Sequence, residues 1–213
     1  MIGDKAKKKR RGFTLVEALV TMAIFTILMV SFSDIYTQNM RFARQIILRA
    51  KLQADARNAL EAITRAVRVS DIDYASYPGG TLTARLSSEL RLINVKTGDT
   101  VRIKLSNFDA HHCYNDSKSS PCIDVCTQDA ATCGLATTDY APLSPRGVKI
   151  DSLKFYVTPS ADPFNFNQAT GAYDSSNQPV VTISAQFHSI AARPSDEWVY
   201  SLQTTATPRL YLR

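Results

Sequence analysis

The sequence predicts an α+β protein: a long N-terminal α-helix packed on an antiparallel β-sheet, with a cysteine-containing loop in the sheet region. Three observations predict it. No Gly or Pro interrupts residues 13 to about 70, so nothing in the covalent chain stops a single helix from running through. After Tyr77-Pro78-Gly79-Gly80 the apolar residues change from helical spacing to alternation, the period of strands. All four cysteines, Cys113, Cys122, Cys126 and Cys133, fall within one segment.

The helix has two halves of different chemistry. Residues 7–11 are five consecutive cations, and from Phe13 to Phe32 the only charged side chain is Glu17. About 20 apolar residues is the length a helix needs to cross a bilayer. The cations before it stay on the cytoplasmic side, which directs the rest of the chain outward. A secretory signal peptide shares the basic start, but its apolar region is shorter and ends in a small-x-small cleavage site that this chain lacks. A plain membrane anchor accounts for length and orientation but leaves Glu17 unexplained. A carboxylate in a membrane helix costs about 2.5–3.5 kcal/mol on insertion scales, so it marks a partner, unless it merely reaches back to the headgroups.

Farther along, Leu52, Ala56, Ala59, Leu60, Ile63 and Val67 recur every three or four residues, with Arg49, Lys51, Asp55, Arg57, Glu61, Arg65 and Arg68 on the other faces. This is an amphipathic helix that covers a sheet. Counted from residue 13 to about 70, the whole helix is roughly 85 Å long at 1.5 Å per residue. The expected organisation is a leader at 1–12, a transmembrane segment at 13–33, the amphipathic half at 34–70 and a β-sheet head at 71–213.

In the head, Leu92 to Val95 and Val101-x-Ile103-x-Leu105 flank Lys96-Thr97-Gly98-Asp99, a hairpin signal. Val148-x-Ile150, Leu153-x-Phe155-x-Val157, Val181 to Phe187 and Trp198-x-Tyr200-x-Leu202 supply further alternation. The sum is four or five antiparallel strands, one face on the helix and one in solvent.

Two long loops separate these strands. The loop from about Asn107 to Pro145 is too polar to pack a core of its own, and its clustered cysteines favour two disulfides, with three pairings open. The competing reading is zinc at His111, His112 and Cys113, although the spacing contains no Cys-x-x-Cys knuckle. In the second loop, Asp162 to Asp174, oxygen-bearing side chains raise calcium. Their spacing misses the Asp-x-Asp-x-Asp-Gly pattern and fits turn formation instead. Phe164, Phe166 and Tyr173 either pack beneath that loop or form a contact surface.

The residues Gly12-Phe13-Thr14-Leu15-Val16-Glu17, after a basic leader and before an apolar run, resemble the processing signal of the type IV pilin and pseudopilin superfamily. The resemblance implies cleavage between Gly12 and Phe13 by a prepilin peptidase that also N-methylates Phe13. It implies that Glu17 pairs with the new amino group of Phe13 on a neighbouring subunit. It further implies the pilin-like fold, residence in the cytoplasmic membrane as a single-pass precursor with the head outside, and transfer by an inner-membrane assembly platform into a filament of pilin subunits in the periplasm or at the cell surface. Residues 52–61, followed by Ile63, Arg65 and Arg68, resemble the minor-pilin and secretion-pseudopilin branch more than major pilins, and the ending Ser201-Leu202-Gln203-Thr204-Thr205 with Arg209 resembles the last strand and tail of minor pilins. Many pilins carry a Pro near the far end of the membrane segment, and Ser31-Phe32-Ser33-Asp34 has none.

The expected function is therefore a structural subunit, a minor pilin of a type IV pilus-like filament. The alternatives are a pseudopilin of a type II secretion system and a membrane-anchored surface binding module that does not polymerise. Net charge does not point to nucleic acid. Residues 1–12 carry a net +5 of the total +6, leaving the rest of the chain at +1. No cofactor is called for, and no nucleophile elbow, phosphate loop or His-Glu-x-x-His accompanies His188, so the chain reads as a non-enzyme and His188 as a surface or packing residue.

Overall fold

The protein is described from a computed structural model, which covers residues 14–77, 82, 86–106, 121–128, 133, 140–145, 148–169, 171–173, 177–190 and 197–209. Helix α1 runs from Leu15 to Val69 without interruption. Its start is set by Thr14, whose hydroxyl accepts the Glu17 N–H at 3.3 Å while its carbonyl accepts the Ala18 N–H at 3.2 Å. At its end the Arg209 N–H reaches the Arg68 carbonyl at 3.1 Å, satisfying one of the acceptors a helix C-terminus leaves open. By contact, the chain divides into one unit reaching to Ile47 and another running from Leu48 to Arg213.

In the first unit every described residue from Thr14 to Arg44 is exposed, including Leu15, Ile27 and Phe32 at 78, 67 and 66 %. In the second, α1 buries Leu52, Ala56, Ala59, Leu60, Ile63, Thr64 and Val67, one stripe at three- and four-residue spacing.

Strands β1 (Ser70–Ile72), β2 (Leu86–Ser87), β3 (Glu89–Asn94), β4 (Thr100–Ser106), β5 (Cys122–Gln128) and β6 (Ala141–Pro142) precede β7 (Val148–Thr158), β8 (Phe166–Asn167), β9 (Ala172–Tyr173), β10 (Val180–Ser189) and β11 (Val199–Ala206). All pairings are antiparallel. The expected single sheet is instead a five-stranded sheet, β1-β3-β4-β5-β6, a four-stranded sheet, β11-β10-β7-β2, and a small β8-β9 ribbon. The β3-β4 hairpin lies where the turn signal put it, with Gly98 in the left-handed region at φ +79° and its N–H on the Asn94 carbonyl at 2.8 Å. Val95 belongs to the turn and not to the strand.

The helix stripe and both large sheets share one core. It is centred on Ile63 and Val67 of α1, Leu90, Leu92 and Ile103 of the first sheet, and Phe155, Val157, Ile183 and Phe187 of the second. In β7 the register against β10 shifts so that Gln186 faces Ser152 and Phe187 faces Ile150. Asp151 is the extra residue of that bulge, which re-aims its side chain out of the ladder.

The cysteine segment departs from expectation. Far from being a loop throughout, it contains β5, whose Ile123 is fully buried in the main core. The reason is that β5 completes the sheet beside β4, with Ile103 opposite Val125 and Leu105 opposite Ile123. Cys126 and Cys133 are joined by a disulfide with Cα atoms 5.9 Å apart, and with Tyr140 they form a small second cluster. The Lys104 ammonium sits 3.7 Å from the centre of the Tyr140 ring. Cys122 is disulfide-bonded as well, while His111, His112 and Cys113 lie outside the described residues.

Candidate functional site

The first unit offers an unusual surface for a folded chain. Helix α1 is the one described helix long and apolar enough to cross a membrane, and its apolar window is entirely unburied. An unpaired backbone would forbid such a location, but a helix satisfies its own N–H and C=O groups. The hydroxyls of the apolar run are also satisfied within the helix. Thr21 donates to the Ala18 carbonyl at 2.9 Å, Thr26 to Ala23 at 2.8 Å, Ser31 to Ile27 at 3.0 Å and Ser33 to Met29 at 2.9 Å. Hydroxyls folded back in this way present little polarity to an apolar partner.

Glu17 stands at the third helical position, three residues after the capping Thr14. Thr-x-x-Glu is the capping-box pattern, and a negative charge in the first turn complements the positive end of the helix dipole. Sequence reasoning missed this local role, although the pattern was there to be read. The Glu17 carboxylate itself has no side-chain or backbone partner among the described residues. Gly12 and Phe13, the residues of the expected cleavage and methylation, lie outside the described residues.

The second loop resolves into turn chemistry. Asp162 Oδ1 accepts the Phe164 N–H at 2.9 Å, closing a side-chain turn, and Gly171 takes φ +65° between β8 and β9. Phe166 and Tyr173 do not pack beneath the loop. Their rings meet edge to face with centroids 5.3 Å apart, at 51 and 54 % exposure. Phe164 is half-buried, and Asp174 lies outside the described residues.

His188 is not the isolated strand histidine the sequence suggests. Its Nδ1 lies 3.1 Å from Asp151 Oδ2, and its Nε2 lies 3.1 Å from Glu197 Oε2. The two carboxylates sit on opposite ring nitrogens, so a single metal ion could not collect all three groups. The neighbouring Ser189 hydroxyl is engaged as acceptor of the Trp198 N–H at 2.8 Å. Only the β7 bulge and the β10-β11 pairing bring these residues together, and no linear motif could announce them.

Electrostatic effects in the head are local. Burial pushes the Tyr74 hydroxyl well above its ordinary range, with the Asp162, Asp71 and Tyr77 charges adding to it. Burial also raises the Asp71 carboxyl, opposed by its hydrogen bond from the Ile72 N–H and assisted by the charge of Asp162.

No curated protein and no solved structure matches the chain. Residues 7–33 match the family model described as the prokaryotic N-terminal methylation motif. That segment takes in the basic run, Gly12, Phe13 and Glu17, and all but the far part of the exposed apolar helix. The match points to a membrane-anchored precursor and a structural subunit rather than an enzyme. The chain thus carries the N-terminal signal of type IV pilins and pseudopilins.

Proposed function

We propose that this chain is a structural subunit of a type IV pilus-like filament, a minor pilin, that performs no catalysis itself. The observation that carries the proposal is the join between the methylation motif and a helix half that is apolar and fully exposed, with its hydroxyls folded back on the backbone. In the membrane that surface faces lipid. In a filament it faces the same surface on sister subunits, and dispersion together with hydrophobic packing holds the bundle. Cleavage between Gly12 and Phe13 removes the leader cations and creates an amino group on Phe13, which the same enzyme methylates. Glu17, the one acid between Phe13 and Phe32, is then the counter-charge for the Phe13 amine of a neighbour. An inner-membrane assembly platform moves the processed subunit from bilayer to filament, and the head of strands β1 to β11 stays on the outer side.

The capping geometry of Thr14 and Glu17 makes the test sharper. The Thr14 hydroxyl is bonded to the backbone N–H of residue 17, so the cap survives in both variants: Gln keeps a polar side chain without the charge, whereas Val removes both. With assembly through charge pairing, Glu17→Gln and Glu17→Val are both cut and inserted at wild-type levels, yet are depleted at least tenfold from sheared surface filaments. Intact mass of the wild-type filament subunit starts at N-methyl-Phe13. Wild-type incorporation of both variants would sink the pairing. An uncut wild-type chain, in cells that process other prepilins, would reduce the protein to a membrane-anchored binding module. Cut and methylated subunits that never leave the cell envelope would instead identify a type II secretion pseudopilin.

A further inference from the structure

The strands that end the two large sheets are short, with one exception. β1 has three residues, β2 and β6 have two each, and β6 closes on Pro142. Short terminal strands, prolines, charges and bulges keep an open row of backbone N–H and C=O groups from pairing with another chain. The part of β7 that β2 leaves uncovered has such devices too, in Lys149, Lys154 and the bulge at Asp151. β11 has none of them. It is eight residues long, contains no charge, Pro or Gly, and keeps an unbroken register against β10 from Val199 to Ala206. Beyond it the four-stranded sheet has no further strand among the described residues, so alternate backbone groups of β11 face outward.

A groove borders this edge. Leu202, Gln203 and Thr204 form one of its walls. Successive side chains of a strand point to opposite faces, so three consecutive residues on one wall place the groove along the strand's edge and not over one face. The other wall is α1, through Arg57, Glu61, Thr64 and Arg68, which share one side of the helix at three- and four-residue spacing. Arg57 and Arg68 are exposed and form no ion pair among the described residues, whereas the Glu61 carboxylate is matched by Arg65 at 3.5 Å. A third cation, Arg209, is tied to the same place by its N–H on the Arg68 carbonyl at 3.1 Å.

We propose that the β11 edge is a docking site for an extended segment of another protein, which adds to the sheet as a strand and carries acidic side chains on its face toward α1. Main-chain hydrogen bonds to β11 supply the attachment, and the alternate side chains that reach the groove supply the selection. Carboxylates at those positions meet the unpaired guanidinium groups of Arg57 and Arg68. A second copy of this chain is the poorer occupant. Pairing β11 with β11 about a two-fold axis brings two arginine-lined grooves to one seam, like charge against like. The whole site belongs to the unit that begins at Leu48, so it does not depend on the apolar half of α1.

The test uses the full chain in detergent micelles and a fluorescent peptide of alternating Thr and Glu, matched to the eight residues of β11, with an alternating Thr and Lys peptide as control. Anisotropy reads the affinity, and amide hydrogen exchange reads where the peptide lies. The Glu peptide is expected to bind about tenfold or more tightly than the Lys peptide, and to slow exchange in β11 while leaving β1 unchanged. The double variant Arg57→Gln, Arg68→Gln melts as the wild type does, because both side chains are exposed. Its affinity for the Glu peptide falls by about fivefold, the scale of two exposed ion pairs. Absent binding, equal binding of the two peptides, wild-type affinity in the double variant, or binding that leaves β11 exchange unchanged overturns the proposal. So do β11 amides that exchange as slowly as those of β10 before peptide is added, since the edge is then already covered. A peptide-free dimer whose formation slows β11 exchange overturns it too, the occupant then being a second copy.

Discussion

At the scale of single residues, two aspartates in the head feel opposite fields. Asp71 in β1 has its carboxyl raised, first by burial and then by the charge of Asp162, against the Ile72 N–H bond of 3.0 Å. Asp151 in the β7 bulge has its carboxyl lowered, the bonds and charges of Lys149 and His188 outweighing burial. The signs of their stability effects therefore differ. A raised acid costs stability where it is ionised, and that cost fades as the pH falls through its raised folded value. A lowered acid contributes stability above its unfolded value and loses it as the pH falls through its folded one. Asp71→Asn, which can keep the Ile72 bond, should raise the denaturant midpoint at pH 7, with the gain shrinking on acidification toward pH 4. Asp151→Asn should lower the midpoint at pH 7, for a stability loss of about a fraction of a kcal/mol, the scale of a partly exposed ion pair, and the loss should vanish in strong acid. Midpoints that move the same way in the two variants would contradict the assignment. Neither environment was legible in the sequence, because β1 follows the helix directly with only three residues and Asp151 owes its direction to a bulge.

At the scale of elements, legibility follows periodicity. The six apolar positions expected on the amphipathic half of α1 are all buried, because a 3.6-residue stripe written over more than four turns has no other stable use. The strands β4, β7 and β10 were visible for the same reason at period two. β5 was not. In Cys-Ile-Asp-Val-Cys-Thr-Gln the buried positions include consecutive residues and Asp124 itself, so the burial pattern carries no alternation. The disulfide partner of Cys126 was equally unreadable, since it depends on β5 being a strand. The two halves of α1 make a controlled comparison possible. Ile63 is fully buried and Ile27 is 67 % exposed in the same helix. Ile63→Ala should cost the head about 2–5 kcal/mol through lost burial and an unfilled cavity. Ile27→Ala should leave head stability within about 0.5 kcal/mol of wild type. Chemical denaturation in detergent, followed by Trp198 emission, measures both. Equal losses would mean that the apolar half of α1 contributes to the core.

At the scale of the whole molecule, the exposed apolar helix and the closed core answer to different solvents. Every buried side chain of α1 lies at or beyond Leu52, and the second unit begins at Leu48. The core of Ile63, Val67, Leu92, Phe155, Ile183 and Phe187 is therefore complete without the residues that precede it. What those residues add is a surface of Leu, Val, Ile, Met and Phe side chains far larger than the apolar patches soluble monomers tolerate. This division was the most legible property of the chain, because an apolar run with a single charge and an amphipathic run differ in composition as well as in period. It leads to a direct expectation for the two forms of the protein. The full chain should require detergent or lipid to stay dispersed. A fragment from Leu48 to Arg213 should be monomeric in plain buffer and should melt cooperatively within a few degrees of the head in the full chain, since it retains every buried side chain of α1 and the Arg49-Trp198 contact. Loss of cooperative melting in the fragment would show that the apolar half stabilises the head. A full chain that remained monomeric without detergent would remove the physical basis for both membrane residence and filament assembly.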